Sequence, residues 1–110
     1  MLENLTTHCS VVTISNMNVG LQLLNERHVI GEDAFVEMVV WALSAPLAGS
    51  SHKFKYRLAL VVKGDCVLRF DNEAGKGDHK HIGPKEIPYI FTTPQALLDD
   101  FWNEVDHWRF

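Results

Sequence analysis

The stretch FKYRLALVVKGDCVLRFDN, residues 54–72, decides the fold of this chain. Apolar side chains alternate with polar ones on both sides of a central Lys63-Gly64-Asp65, and β-branched and aromatic residues are frequent. This pattern is typical of two half-buried strands that are joined by a tight turn. Residues 53–62 and 66–72 are therefore predicted to form a β-hairpin.

The loop length decides which side chains share a face of this hairpin. A three-residue loop at 63–65 places Val62 opposite Cys66 and gathers the apolar pairs on one face. That face carries Leu60 with Leu68, Leu58 with Phe70, and Tyr56. The other face pairs Lys55 with Glu73, Arg57 with Asp71, and Ala59 with Arg69. A two-residue loop would bury charged groups among the leucines at a high desolvation cost, so we expect the three-residue loop.

The rest of the chain extends this hairpin into a sheet. Four further strands are predicted from alternating or β-branched runs, at residues 21–30, 34–43, 78–82 and 87–91. Residues 72–77 are predicted as a six-residue loop. Residues 1–20 are an N-terminal element in which a short strand and a helix both stay open, with a turn at 16–20.

A helix is predicted at the C-terminal end of the chain. Thr93 and Pro94 are an N-cap residue and a proline at the first helical position. An apolar stripe follows at helical spacing, formed by Leu97, Leu98, Phe101, Val105 and Trp108. We expect an α+β fold in which residues 1–110 form one domain. Residues 21–91 form an antiparallel β-meander of about five to six strands, and the amphipathic helix, residues 94–107, packs on one face.

Composition and charge exclude several classes of protein. The chain is 46% hydrophobic and 22% charged, which is typical of a globular protein and not of a disordered one. It has no long apolar run and no basic N-terminal signal, so we expect a cytoplasmic protein that does not associate with membranes. The net charge is −4, yet residues 52–85 hold eight of the ten Lys and Arg residues. A local basic surface for a polyanion is therefore expected.

Two histidines beside this basic region are the candidate catalytic pair. In an extended segment the side chains of His79 and His81 point the same way, and the 72–77 loop can return them to Asp71. Such a pair suits metal-free cleavage of RNA, in which one imidazole removes the 2′-hydroxyl proton and the other protonates the leaving 5′-oxygen. Asp71 would orient one of the imidazoles.

The surrounding polar residues are the candidate RNA ligands. They are Lys55, Arg57, Arg69, Lys76, Lys80 and Asn72. No cofactor and no metal ligand is expected. Two alternatives stay open, namely an RNA- or protein-binding protein without catalytic activity that inhibits its target by occupancy, and a metal-dependent nuclease that uses the His-x-His segment.

Several short segments resemble one protein family. They are FVEMVVW at 35–41, FKYRL at 54–58, LRFDN at 68–72, GKGDHKH at 75–81, PY at 88–89 and LDDFW at 98–102. Over roughly residues 22–108 the chain resembles the TumE family of toxin-antitoxin toxins. The resemblance implies a growth-inhibiting protein whose partner is a cognate antitoxin with a helix-turn-helix DNA-binding fold. It leaves the mechanism and the choice between monomer and homodimer open.

Overall fold

The computed structural model describes residues 11–15 and 18–108. The elements are β1 (Val11–Ser15), β2 (Asn18–Gly31), β3 (Ala34–Leu43), β4 (Phe54–Val62), β5 (Asp65–Glu73), β6 (Gly77–Ile82), β7 (Lys85–Pro88) and α1 (Pro94–Asp106). Each strand pairs antiparallel with the next, so the order in the sheet is the order in the chain. The predicted α+β meander with a C-terminal helix is confirmed. Strands β1–β6 form its body, and the four-residue β7 ends it.

The core lies on one face of the sheet, which we call the helix face. In β3 every second residue from Ala34 to Val40 is buried, as the alternation of a half-buried strand requires. Strands β4 and β5 add the predicted leucine face and Tyr56, all at most 1% exposed. Helix α1 covers them with three buried side chains, those of Leu97, Phe101 and Val105. The other face of the sheet, which we call the open face, lies opposite the helix.

Helix α1 begins where its capping residues predict. The Thr93 hydroxyl accepts a hydrogen bond from the Ala96 amide at 3.0 Å, and Pro94 occupies the first turn. Such a cap satisfies one of the amides that the first turn leaves without a partner. The helix ends at Asp106, one residue before the predicted end, because His107 forms the C-cap.

The predicted loop of the central hairpin is wrong by one residue, although the four predicted pairs from Leu60–Leu68 to Arg57–Asp71 are correct. The turn contains only Lys63 and Gly64, both with positive φ, so Val62 pairs with Asp65 and Val61 with Cys66. Two positive φ angles favour a tight turn whose twist matches that of the strands. A register shift beyond Val61 then restores the predicted pairs from Leu60–Leu68 to Arg57–Asp71. The bulge keeps the leucines on the helix face.

The N-terminal element contains a strand in the part that is described. Strand β1 pairs with the start of β2, from Val11 opposite Leu21 to Ser15 opposite Asn18. The predicted turn at 16–20 is wrong for residues 18–20, because β2 already begins at Asn18. The predictions for residues 1–10 and 16–17 lie outside the described residues.

Two boundaries on the C-terminal side of the sheet also differ from the predictions. The loop predicted at 72–77 contains only the turn 74–76, because Asn72 pairs with Asp78 and Glu73 with Gly77. The strand predicted at 87–91 is β7, which covers residues 85–88. Its last pair is Pro88 with His79, and beyond it the Tyr89 amide still donates to the Asp78 carbonyl at 3.0 Å.

The loop between β3 and β4 lies against the turn between β5 and β6. The Gly75 amide donates to the Ala48 carbonyl at 2.6 Å. A Cβ atom on Gly49 would lie 3.0 Å from the Gly77 nitrogen, and Gly49 has a φ of +90°. Glycine is therefore required at this close approach, which brings residues 50–52 next to β6.

Candidate functional site

Strand register brings the two candidate histidines to the open face. His79 pairs with Asp71 and His81 with Arg69, whereas Lys80 between them pairs with the core residue Phe70. Directly opposed residues of an antiparallel pair share a face. His79, His81, Asp71 and Arg69 therefore stand together on the face that the helix leaves uncovered. The two imidazole centroids are 6.4 Å apart.

Three charged groups surround one nitrogen of His81. Its Nε2 lies 3.2 Å from Arg69 Nη2, 3.4 Å from Asp71 Oδ1 and 3.8 Å from Glu86 Oε2. Because arginine can only donate, the Arg69 contact requires a lone pair on Nε2. Contact with either carboxylate instead favours a proton there. The neighbours of His81 therefore make opposite requirements of Nε2, since Arg69 needs a lone pair there and the carboxylates need a proton.

His79 has a different environment, although its side chain is equally exposed at 21%. Its Nε2 lies 3.8 Å from the same oxygen of Glu86 that faces His81. Lys76 approaches that oxygen at 3.4 Å. Desolvation opposes the change, but the hydrogen bond and charge of Lys76 and the charges of both histidines lower the pKa of Glu86 below its usual range. Glu86 is therefore an ionised carboxylate that faces all three groups.

Asp71 is held from the other side by Arg69. The Arg69 Nε atom lies 3.0 Å from Asp71 Oδ2, but it is buried and makes no hydrogen bond within the described part of the chain. The contact is therefore an ion pair without hydrogen-bond geometry. Asp71 is only 8% exposed, so its charge acts at short range on Arg69 and His81.

The predicted RNA-binding cations on or beside the open face all have internal partners. Lys55 Nζ donates to the Asn72 carbonyl at 2.8 Å, and Arg57 Nη1 lies 3.7 Å from Glu37 Oε1. Lys76 lies between Glu73 and Glu86, and Arg69 faces Asp71. The open face therefore carries both signs of charge, as the predicted pairing of Arg57 with Asp71 implies.

Two predicted RNA ligands lie away from this surface. Lys80 projects to the helix face, where its Nζ lies 2.7 Å from Glu104 Oε2 of α1 and above the Phe70 ring. The Asn72 side chain is fully buried and bonds the Tyr56 amide and the Phe54 carbonyl. Strand alternation explains both positions, because residues 72 and 80 lie one step from Asp71 and His81.

A second histidine cluster on the helix face was not predicted. His52 Nε2 donates to Asp78 Oδ2 at 2.7 Å, and the Tyr56 hydroxyl donates to the same oxygen at 2.6 Å. The Ser50 hydroxyl donates to Asp78 Oδ1 at 3.1 Å. His52 Nδ1 accepts from the Phe54 amide, and the ring stacks 3.9 Å from the Phe91 centroid. Burial, and then the contact with Asp78, raise the pKa of Tyr56 above its usual range.

Sequence reasoning missed this cluster because residues 52 and 78 lie on separate elements. One signal was available, since pairing Asn72 with Asp78 would have put an acidic side chain beside the core. A carboxylate in that position requires hydrogen-bond donors.

The described residues provide no metal centre and no membrane-spanning helix. Among them, no three His, Cys, Asp or Glu side chains are grouped so that they could hold a metal ion. Their single helix lacks the length and apolar character that crossing a membrane requires.

The fold and the site together define a class of small α+β protein, in which a seven-stranded antiparallel meander carries a histidine pair on the face that its one helix leaves open. The family model described as Toxin TumE matches residues 5–109, and the chain belongs to that family. The predicted family is confirmed, and the match begins earlier than the resemblance over residues 22–108. The chain is therefore the toxin of a toxin-antitoxin system, with a cognate antitoxin as partner. Neither curated proteins nor solved structures give a match.

Proposed function

We propose that this toxin is a metal-independent endoribonuclease in which His79 and His81 are the acid and base. The observation that carries the proposal is the pair of imidazoles 6.4 Å apart on one face, with Arg69 and Lys76 beside them. Two titratable groups and adjacent cations are what transesterification at phosphorus needs, because charge develops on the phosphoryl oxygens.

The environments of the two histidines suggest their roles. Arg69 lies 3.2 Å from His81 Nε2 and can only donate, so in this proposal His81 is the general base, in the neutral tautomer whose lone pair is on Nε2. His79 lies 3.8 Å from Glu86 Oε2, and in this proposal it is the general acid that protonates the leaving oxygen. Asp71 orients His81 and offsets the charge that His81 gains during the reaction.

The proposed step is balanced without a metal or a cofactor. The 2′-oxygen of RNA attacks the adjacent phosphorus, and His81 takes the 2′-hydroxyl proton. The bond from phosphorus to the 5′-oxygen breaks, and His79 gives its proton to that oxygen. The products are a 2′,3′-cyclic phosphate and a 5′-hydroxyl. Arg69 and Lys76 stabilise the negative charge of the phosphorane, and Arg57 and Lys55 bind the flanking chain.

The proposal includes the setting in which the reaction occurs. An RNA-cleaving toxin meets its substrate in the cytoplasm, and the resemblance to TumE toxins implies a helix-turn-helix antitoxin as the partner that blocks it. In this proposal residues 1–110 act as one domain. Gel filtration with light scattering distinguishes a monomer from a homodimer.

The decisive experiment uses synthetic single-stranded RNA with purified protein. We expect cleavage that continues in EDTA, leaves 2′,3′-cyclic phosphate ends, and stops at a position where the 2′-hydroxyl is replaced by hydrogen. The double variant His79→Ala with His81→Ala should abolish both cleavage and growth inhibition. His28→Ala is the matched control, since His28 pairs with Glu26 on β2, away from the site.

Two other outcomes of this experiment would support the two alternative functions. Growth inhibition by the double variant, with RNA affinity retained, would establish inhibition by occupancy. Cleavage that EDTA stops and a divalent metal restores would establish a metal-dependent nuclease.

A further inference from the structure

One oxygen of Glu86 is the point on which three nitrogen-bearing side chains converge. Its Oε2 lies 3.4 Å from Lys76 Nζ and 3.8 Å from Nε2 of both His79 and His81. Charge-assisted hydrogen bonds are usually 2.7–2.9 Å long, so none of the three donors reaches its best distance from this oxygen. One carboxylate oxygen has two lone pairs, which is fewer than the three groups that converge on it.

The convergence is built by three separate elements. Lys76 comes from the turn between β5 and β6, the histidines come from β6, and Glu86 comes from β7 opposite His81. The side chains of Lys76 and Glu86 are 53% and 37% exposed. The cluster is therefore accessible from solvent at both of these side chains.

We propose that Glu86 Oε2 occupies the position of a phosphate oxygen, and that a phosphodiester of the ligand binds there by displacing this carboxylate. The inference deepens the proposed function and rests on it for the identity of the ligand as RNA. A phosphate group presents several oxygens in a tetrahedral arrangement, so separate oxygens can accept from the lysine and from each imidazole when that imidazole is protonated. Glu86 is then an internal competitor for the substrate phosphate.

The other charges around the cluster do not cancel this attraction. Asp71 faces His81 and opposes an anion, but Arg69 is in contact with Asp71. Glu73 contacts Lys76 at 3.7 Å and neither histidine. After Glu86 withdraws, the ligand faces two protonatable imidazoles, Lys76 and Arg69. The opposing charges are those of Asp71 and Glu73.

The test compares two substitutions that remove the same charge near the same lysine. Glu86→Gln removes the proposed competitor, whereas Glu73→Gln removes a carboxylate that contacts Lys76 only. Inorganic phosphate is titrated into each full-length variant while the imidazole C–H signals of His79 and His81 are followed by NMR. We expect about fivefold tighter phosphate binding for Glu86→Gln, the upper range for exposed ion pairs, and less than about twofold change for Glu73→Gln.

The outcomes separate this inference from the proposed function. Equal phosphate affinity in wild type and Glu86→Gln, or weaker binding in Glu86→Gln, overturns the inference even if RNA is cleaved. Tighter phosphate binding in Glu86→Gln without RNA cleavage by any variant supports the phosphate position and removes the proposed function. Together with RNA cleavage, a lower KM for RNA in Glu86→Gln supports both.

Discussion

Two histidine–aspartate pairs lie on opposite faces of the same sheet, and their surroundings differ. On the helix face, His52 and Asp78 are 2.7 Å apart, with side chains only 12% and 10% exposed. On the open face, His81 and Asp71 are 3.4 Å apart, and the imidazole is 21% exposed. The shorter contact is the more deeply buried one.

The two pairs also differ in how their hydrogen bonds are shared. Each nitrogen of His52 has one partner, and the Asp78 carboxylate accepts from His52, Tyr56 and Ser50. At His81, one nitrogen faces Arg69, Asp71 and Glu86. A fully satisfied buried network holds one arrangement and stabilises the fold. We therefore expect the first pair to contribute to stability, whereas the second pair is the one that the proposed function uses.

The largest expected effect is the separation of activity from stability by two histidine variants. His81→Ala should lower RNA cleavage by about 10²–10⁴ through loss of the base, and change the unfolding free energy by less than about 0.5 kcal/mol. His52→Ala should lower the unfolding free energy by about 2–3 kcal/mol while cleavage per folded molecule is kept. Single-turnover cleavage and urea unfolding measure the two quantities. If both variants lose the same quantity, either cleavage or stability, the two histidines do not have different roles.

The next effect compares the two aspartates. Asp78→Ala leaves His52, Tyr56 and Ser50 without their shared acceptor in a buried site, and should cost about 3 kcal/mol of unfolding free energy. Asp71→Ala leaves Arg69 and His81, whose side chains are 32% and 21% exposed, where water can replace the carboxylate. It should cost about 1 kcal/mol. Urea unfolding of both variants at pH 7 decides whether this order is correct.

A smaller effect is expected in alkaline solution. The pKa of the Tyr56 phenol is raised by burial and by the contact with Asp78, so the folded chain keeps the proton that the unfolded chain loses. Its contribution is fully present below about pH 10 and is lost above it, at up to about 1.4 kcal/mol per pH unit. Tyr56→Phe should reduce the slope of unfolding free energy against pH. The pKa of Tyr89 is also raised, by burial and by Asp100. Tyr89→Phe therefore measures how much of the slope comes from Tyr89.

The smallest effect concerns two lysines on different faces. Lys76→Ala should weaken binding of single-stranded RNA and reduce the slope of log affinity against log salt by about 0.7, the loss of one phosphate contact. Lys80→Ala should leave that slope unchanged because Lys80 binds Glu104 on the helix face. Fluorescence anisotropy between about 50 and 200 mM salt measures both. Equal slopes for the two variants would contradict the assignment of phosphate binding to the open face.

Much of the fold could be predicted from residues that are close in sequence. The alternation in residues 54–72 predicts the pairs Leu58–Phe70 and Leu60–Leu68, and both are present in the core. Thr93 and Pro94 predict the start of the helix. The predicted loop at 63–65 was wrong by one residue, because a bulge shifts the strand register at a single position that a hydrophobic pattern does not record.

The candidate site could be predicted only in part, because its charged partners come from distant parts of the chain. By itself the sequence determined that His79 and His81 share a face, since the period of an extended strand is two residues. Only the tertiary structure decided which charges meet them. Glu86 reaches the pair through the register of β7, and Ser50 and His52 reach Asp78 through the close approach of Gly49 to Gly77. Periodicity is a local property of the chain, whereas the partner of a charge depends on contacts between distant residues. These contacts exist only after the sheet has formed.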